Sequence, residues 1–199
     1  MLQIVIDSNN GYFELGLQYL LLRMKNHNHQ SDDVSLNFTL SKRDISLPDI
    51  IFREFMVTIN IKHEPGIRKN HSLAEISRTI HIPFICRSHN MDDIILRIRK
   101  ILLIASMGYG ASTRTDIFKA AGLKRYLQLS ATENNIMLLT GKGHDASDIS
   151  RLLHRSERTI GVHCRNAIKK MGMENRLEFY KYATWLARFG NSDEITLCL

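Results

Sequence analysis

The chain has 199 residues, 44% of them apolar and 24% charged, and its 27 basic and 20 acidic side chains give a formal charge of +7. This is the balance of a globular chain, with no uncharged apolar run long enough for a membrane span and no basic start leading into a long apolar stretch that would mark export. The expected location is therefore the cytoplasm, with no membrane partner. Cys86, Cys164 and Cys198 stand far apart without a CxxC, so neither a disulfide framework nor a zinc site is expected, and no cofactor.

LQIVID is a strand-like run ending at Asp7, and ELGLQYLLLRMKN after it has helical spacing in Leu15, Leu17, Leu20, Leu21 and Met24. PDIIFREFMV, from Pro48, predicts a second buried strand. IPFIC, Ile82 to Cys86, predicts a third, followed by a helix with Ile94, Ile98, Ile101 and Leu102 as its stripe. Strands alternating with helices imply a parallel α/β sheet over residues 1–105. Polar stretches at 26–33 and 63–71 read as loops, and 106–128, with Gly108, Gly110 and Ser-Thr-Arg-Thr, as a linker with room for a short helix.

Four helices are expected over 129–190, ahead of a tail at 191–199. The first starts with Ser130 and Glu133 in capping-box spacing, carries Ile136, Met137 and Leu139, and stops at Gly141 or Gly143. The second has Asp145 as N-cap and turns Ile149, Leu152 and Leu153 inward. Ser156 caps the third, with Ile160, Cys164, Ala167 and Met171 as its buried stripe. Asn175 caps the fourth, RLEFYKYATWLARF, ended by Gly190.

Charge is concentrated in this half: Arg151 to Lys170 holds six basic residues and one acid, whereas residues 1–123 hold 15 basic and 12 acidic. In the third helix Arg158, Val162, Arg165 and Lys169 recur at i, i+4, i+7 and i+11, which lines three cations and a small apolar side chain along one face. Such a face suits the major groove of double-stranded DNA, where cations meet phosphates and guanine edges and a valine meets a thymine methyl. A three-residue turn before it completes helix-turn-helix architecture.

Leu129 to about Arg188 resembles the LuxR/FixJ/NarL type of bacterial DNA-binding domain. Leu129-Ser130, Glu133, Gly143, Ile149, Leu153, Ser156, Thr159-Ile160, His163, Asn166, Lys170-Met171 and Arg176 fall in its register without a gap. The resemblance implies that the third helix reads DNA, with Val162 and Arg165 at base edges, Thr159, Lys169 and Lys170 on phosphates, and Arg158 and Asn166 in the same DNA-facing set. Members often carry a lysine where this chain has Gly161. The glycine costs about 1 kcal/mol of helix propensity relative to alanine, and it implies weaker autonomous binding or, alternatively, close backbone approach to DNA. His163 and Cys164 have no second pair at ligand spacing, and His163 occupies a family position explained by packing.

The N-terminal order of strands and helices resembles the receiver domain of response regulators, with departures. A receiver uses clustered acids to hold Mg²⁺, an aspartate phosphoryl acceptor and a lysine. Here Asp7 is the remaining acid, followed by Ser8 and Asn9; the alignment puts Glu54 at the acceptor position and Arg87 at the lysine position, and the interval between these is one strand and helix short. The resemblance therefore implies a truncated, degenerate pseudo-receiver without phosphorylation; an unrelated small α/β domain is the alternative. The combination is similar to the RcsA-type auxiliary regulators of enteric bacteria. It implies a transcription regulator of surface polysaccharide or fimbrial genes, acting as a homodimer or as a heterodimer with another LuxR-type response regulator. The alternative is a decoy that sequesters a partner regulator without binding DNA, favoured by Gly161 and by Arg155, where the family prefers an apolar residue. No enzyme motif is apparent: there is no Ser-His-Asp order, glycine-rich nucleotide loop or carboxylate pair on one helix.

Overall fold

The computed structural model describes residues 1–27, 38–41, 47–61, 78–86, 90–107, 117–119, 121–190 and 195–199. It divides into two compact units, Met1–Leu123 and Lys124–Leu199. The first is α/β and the second is helical; among the described residues no helix is long and apolar enough to cross a membrane.

In the first unit β1 (Leu2–Ile6) leads into α1 (Gly11–His27), whose start is fixed by Asn10: its side-chain oxygen accepts from the Tyr12 and Phe13 amides at 3.1 and 3.3 Å. α1 buries Leu17, Leu20, Leu21 and Met24. Next come β2 (Phe38–Ser41), β3 (Ile50–Phe52), β4 (Met56–Ile61), β5 (Arg78–Pro83) and α2 (Met91–Ser106). Asn90 caps α2 by accepting from Asp93 N at 2.8 Å, and α2 buries Ile98, Ile101, Leu102, Ile104 and Ala105; Ile94 of the expected stripe stays half-exposed.

These five strands lie in the order β2-β1-β3-β4-β5. β1 is parallel to both neighbours, with Ile4 opposite Ile50, whereas β3–β4 and β4–β5 are antiparallel. The expected parallel sheet is thus a mixed one. The cause lies in PDIIFREFMV, which is two strands: Arg53-Glu54-Phe55 turn the chain, closed by Arg53 N on Met56 O at 2.8 Å. Three residues can join only antiparallel neighbours, because a parallel crossover needs a dozen or more. β5 begins at Arg78, ahead of the expected Ile82, since it pairs with the whole of β4 from Ile61 opposite Arg78 to Met56 opposite Pro83. β2 was not among the predicted strands. The expected loop at 63–71, most of that at 26–33 and the Gly108 to Thr115 part of the linker lie outside the described residues.

The second unit contains α3 (Ala131–Gly141), α4 (Ala146–Leu153), α5 (Glu157–Lys170) and α6 (Arg176–Phe189), each entered through its expected cap. Its core joins Ile136 and Met137 of α3, Ile149 of α4, Ile160, Cys164 and Ala167 of α5, and Phe179, Tyr182, Ala183 and Leu186 of α6, all buried. Leu152, expected inside, is 53% exposed, because an eight-residue helix with one buried position turns only a narrow face inward. Gln128, placed in the linker by sequence, is buried and exchanges two 2.9 Å hydrogen bonds with the backbone of Cys198, in the expected tail.

α3 ends at Gly141, and Gly143 follows at φ 93°, a conformation that glycine adopts without strain. Gly141 meets a different demand. A Cβ there would overlap the Ala183 carbonyl and sit 3.1 Å from the Ala187 Cβ, so the two helices touch backbone to backbone. Gly141→Ala is expected to lower the stability of this unit by about 1 to 3 kcal/mol despite alanine's better helix propensity; urea denaturation of the two proteins measures it, and an unchanged or raised midpoint would contradict the close contact.

Candidate nucleic-acid interface

α4 and α5 are joined by His154-Arg155-Ser156. His154 takes the left-handed conformation at φ 50°, letting Arg155 N donate to Ser150 O at 3.1 Å while Ser150 Oγ donates to Arg155 O at 2.6 Å. Ser156 then caps α5, accepting from Thr159 N at 3.2 Å and meeting Thr159 Oγ1 at 2.8 Å. The turn is held by backbone and short hydroxyls, which explains how so few residues can fix where α5 begins.

The expected stripe Ile160, Cys164, Ala167 and Met171 is buried throughout, and Arg158, Val162, Arg165, Asn166 and Lys169 are exposed. Val162 shows 42% of its surface, so an apolar contact stands in water between cations. Thr159 is half-buried, its hydroxyl engaged by the cap. Of the neighbouring cations, Arg151 pairs with Asp148 at 2.7 Å on the outside of α4.

Lys170 departs from the expected set. Its Nζ donates to Oε2 of the buried Glu133 at 2.7 Å, the same oxygen that accepts from Ser130 N at 2.7 Å in the capping box of α3. The ammonium expected on a phosphate is instead an internal counter-ion, and the cause is Glu133, 3% exposed, which could not remain charged there alone. Burial raises the pKa of Glu133, but the Lys170 hydrogen bond and the Ser130 contacts outweigh it and hold the carboxyl below its usual range. Sequence reasoning missed this pair: 37 residues separate the partners, and each already had an assigned role.

Gly161 lies between two clefts of about 280 and 300 Å³, both also lined by Cys164 and Arg176. Among the described residues a Cβ at Gly161 would touch only Arg165 Nη1, at 3.6 Å, so nothing among them requires the glycine. Burial pushes the Cys164 thiol up, against the pull of Arg176 and Arg165.

At the carboxyl ends of β1 and β3 the acids are already engaged. Asp7 accepts from Arg53 Nε at 3.0 Å, and Glu54 accepts from Ser8 Oγ at 2.9 Å. Arg53 also donates to Thr58 Oγ1 at 3.2 Å, which meets His81 Nδ1 at 3.2 Å across the β4–β5 pair. Burial, helped by the Arg53 charge, lowers the pKa of His81 to about 4, so its ring is neutral. These residues do not fit Mg²⁺: a guanidinium already neutralises Asp7, and among the described residues no three ligating side chains cluster. Arg53, absent from the predicted site, was legible only as the basic neighbour of Glu54. Arg87 lies outside the described residues.

Residues 127–183 match the family model of bacterial regulatory proteins, luxR family. No curated protein matches the chain. Among solved structures, the chain is similar to the Salmonella typhimurium RcsB response regulator (11% identity, 92% of this chain and 98% of that chain covered, TM-score 0.33). It is also similar to the two-component response regulator RcsB in complex with DNA (14%, 92% and 98%, TM-score 0.31). A third is RcsB from Salmonella enterica serovar Typhimurium bound to promoter rprA in the presence of phosphomimetic BeF3⁻ (16%, 92% and 99%, TM-score 0.30).

Lys170→Met should strand Glu133 without its ammonium and cost roughly 2 to 3 kcal/mol at neutral pH. In the native protein the stability due to Glu133 is present above the ordinary glutamate range and is lost as pH falls through its depressed value. In the variant the stranded carboxylate destabilises while it is charged and protonation relieves it, so paired acid titrations of unfolding should show the difference between the two proteins shrinking as pH falls; coincident curves would mean that the pair contributes nothing.

Proposed function

We propose that the chain is a DNA-binding transcription regulator that lays α5 in the major groove, acts as a dimer or as the auxiliary partner of another LuxR-type response regulator, and needs no phosphorylation. The observation that carries this reading is the exposed face of Arg158, Val162, Arg165, Asn166 and Lys169 behind a rigid three-residue turn. The match of 127–183 to luxR-family regulators supports it. Arg165 and Val162 serve as base readers, while Lys169, Arg158 and the first turn of α5 meet phosphates. With Lys170 committed to Glu133 and no side chain at Gly161, this face holds fewer free cations than the sequence count suggests, which favours a partner that supplies contacts at a second half-site. Independence from phosphorylation is supported by the Asp7–Arg53 pair, which occupies the acid that a metal-assisted phosphoryl transfer would use. Surface polysaccharide or fimbrial promoters follow from the resemblance to RcsA-type regulators.

Arg165→Ala should weaken specific binding roughly tenfold or more, whereas Lys169→Ala should weaken all sequences alike and reduce the salt slope by about 1. Footprinting and a salt series on promoter DNA that the chain binds, with and without the partner regulator, measure both. Retained promoter control by Arg165→Ala would turn the reading toward a decoy. Acetyl phosphate should leave the purified chain unlabelled, and stoichiometric label on Glu54 or Asp49 would refute the phosphorylation-independent reading.

A further inference from the structure

The two clefts beside Gly161 differ in character. One, of about 280 Å³, is lined by the apolar side chains of Ile136, Ile149, Ile160 and Tyr180 together with His144. The other, of about 300 Å³, is lined by Arg165, Ile168, Glu174 and Arg176. Gly161, Cys164 and Arg176 line both, so an apolar compartment adjoins a cationic one. Arg165 reaches back one helical turn to take part, its Nη1 lying 3.6 Å from where a Cβ at Gly161 would stand. Burial raises the pKa of the Cys164 thiol while Arg176 and Arg165 both pull it down, which puts the two guanidiniums about one sulfur.

A lone exposed arginine is ordinarily solvated. Two from different helices that converge on one cleft repel each other, and among the described residues neither forms an ion pair. Glu174 lines the same cleft without pairing with either, and Asp145, on the apolar cleft, turns its carboxylate to the Asp148 amide at 2.8 Å. Guanidiniums present planar sets of donors that match carboxylate and phosphate oxygens, and an apolar cleft with a few convergent polar groups is the usual form of a small-molecule site. We propose that this groove binds a small organic anion, its carboxylate or phosphate held between Arg165 and Arg176 and its apolar body laid over Gly161 toward Ile160 and Tyr180. Gly161 is the opening, because any side chain longer than a methyl would lie where the two clefts meet. An anion that holds Arg165 beside Arg176 withholds it from base edges, so the ligand opposes DNA binding. That consequence rests on the DNA-binding reading; the site does not.

Titration calorimetry on the full chain without DNA, at constant ionic strength and with phenyl phosphate as the probe, tests the site independently of that reading. The probe should bind at one site, roughly fivefold or more tightly than inorganic phosphate, which lacks the apolar body, while phenol, which lacks the charge, should give no signal. Gly161→Leu keeps every charge and improves helix propensity, yet it should weaken probe binding roughly tenfold or more, as should Arg176→Gln. Arg188→Gln, exposed near the end of α6, should change nothing. Absence of saturable binding, or binding indifferent to Gly161→Leu and Arg176→Gln, overturns the proposal. In a second arm, saturating probe should weaken DNA binding by the native chain and leave that of Arg176→Gln unaffected. If Arg176→Gln alone weakens DNA binding and lowers the salt slope by about 1, the anion is a phosphate of the duplex and the proposal falls. A chain that binds the probe but no DNA would refute the DNA-binding reading and leave the site standing.

Discussion

A single carboxylate organises the helical unit. Glu133 closes the capping box at the start of α3 and receives the last lysine of α5, so one buried oxygen fixes two helix ends at once. Charge buried this deeply is tolerated only when paired and hydrogen-bonded, and the geometry here meets both conditions. The contact between Gly141 and Ala183 completes the frame by bringing α3 and α6 to backbone distance. With both fixed, the inward stripe of α5 has one seating, and its outward stripe follows from helical periodicity.

The sheet unit shows the reverse use of charge. Asp7, Arg53, Thr58 and His81 form a chain of ion pair and hydrogen bonds at one end of the sheet, with Arg53 central to it. A guanidinium supplies five donors in a fixed plane, so it can serve a carboxylate and a hydroxyl together. The acids that a metal-dependent site would leave open are thereby satisfied from within, and the neutral, buried His81 adds no charge for a ligand to balance.

How far the sequence could be read depended on the range of the interactions. Caps are local, so Ser130, Asp145, Ser156 and Asn175 announced the four C-terminal helices correctly, and the Ile160 to Met171 stripe placed the face of α5. The mixed sheet was not legible, because Arg53-Glu54-Phe55 has no glycine, proline or asparagine to mark a turn and the apolar runs on either side read as one strand. The commitment of Lys170 was hidden for a related reason: an ion pair between distant positions has no signature in spacing, whereas a basic residue beside other basic residues invites assignment to their shared face. The LuxR-type register carried the helical unit, and a family register of that kind says nothing of which cations remain free.

The turn between α4 and α5 has a geometric consequence. An α-helix advances by about 100° of azimuth per residue, so the hydrogen bonds between Ser150 and Arg155, with the cap that Ser156 forms on Thr159 N, act as an index mark that sets the rotational phase of everything after them. Lengthening the segment by one amino acid would turn Arg165 through more than a quarter of a revolution while leaving every side chain chemically intact. Composition along α5 can therefore drift more freely than the length of the three-residue hinge that clocks it.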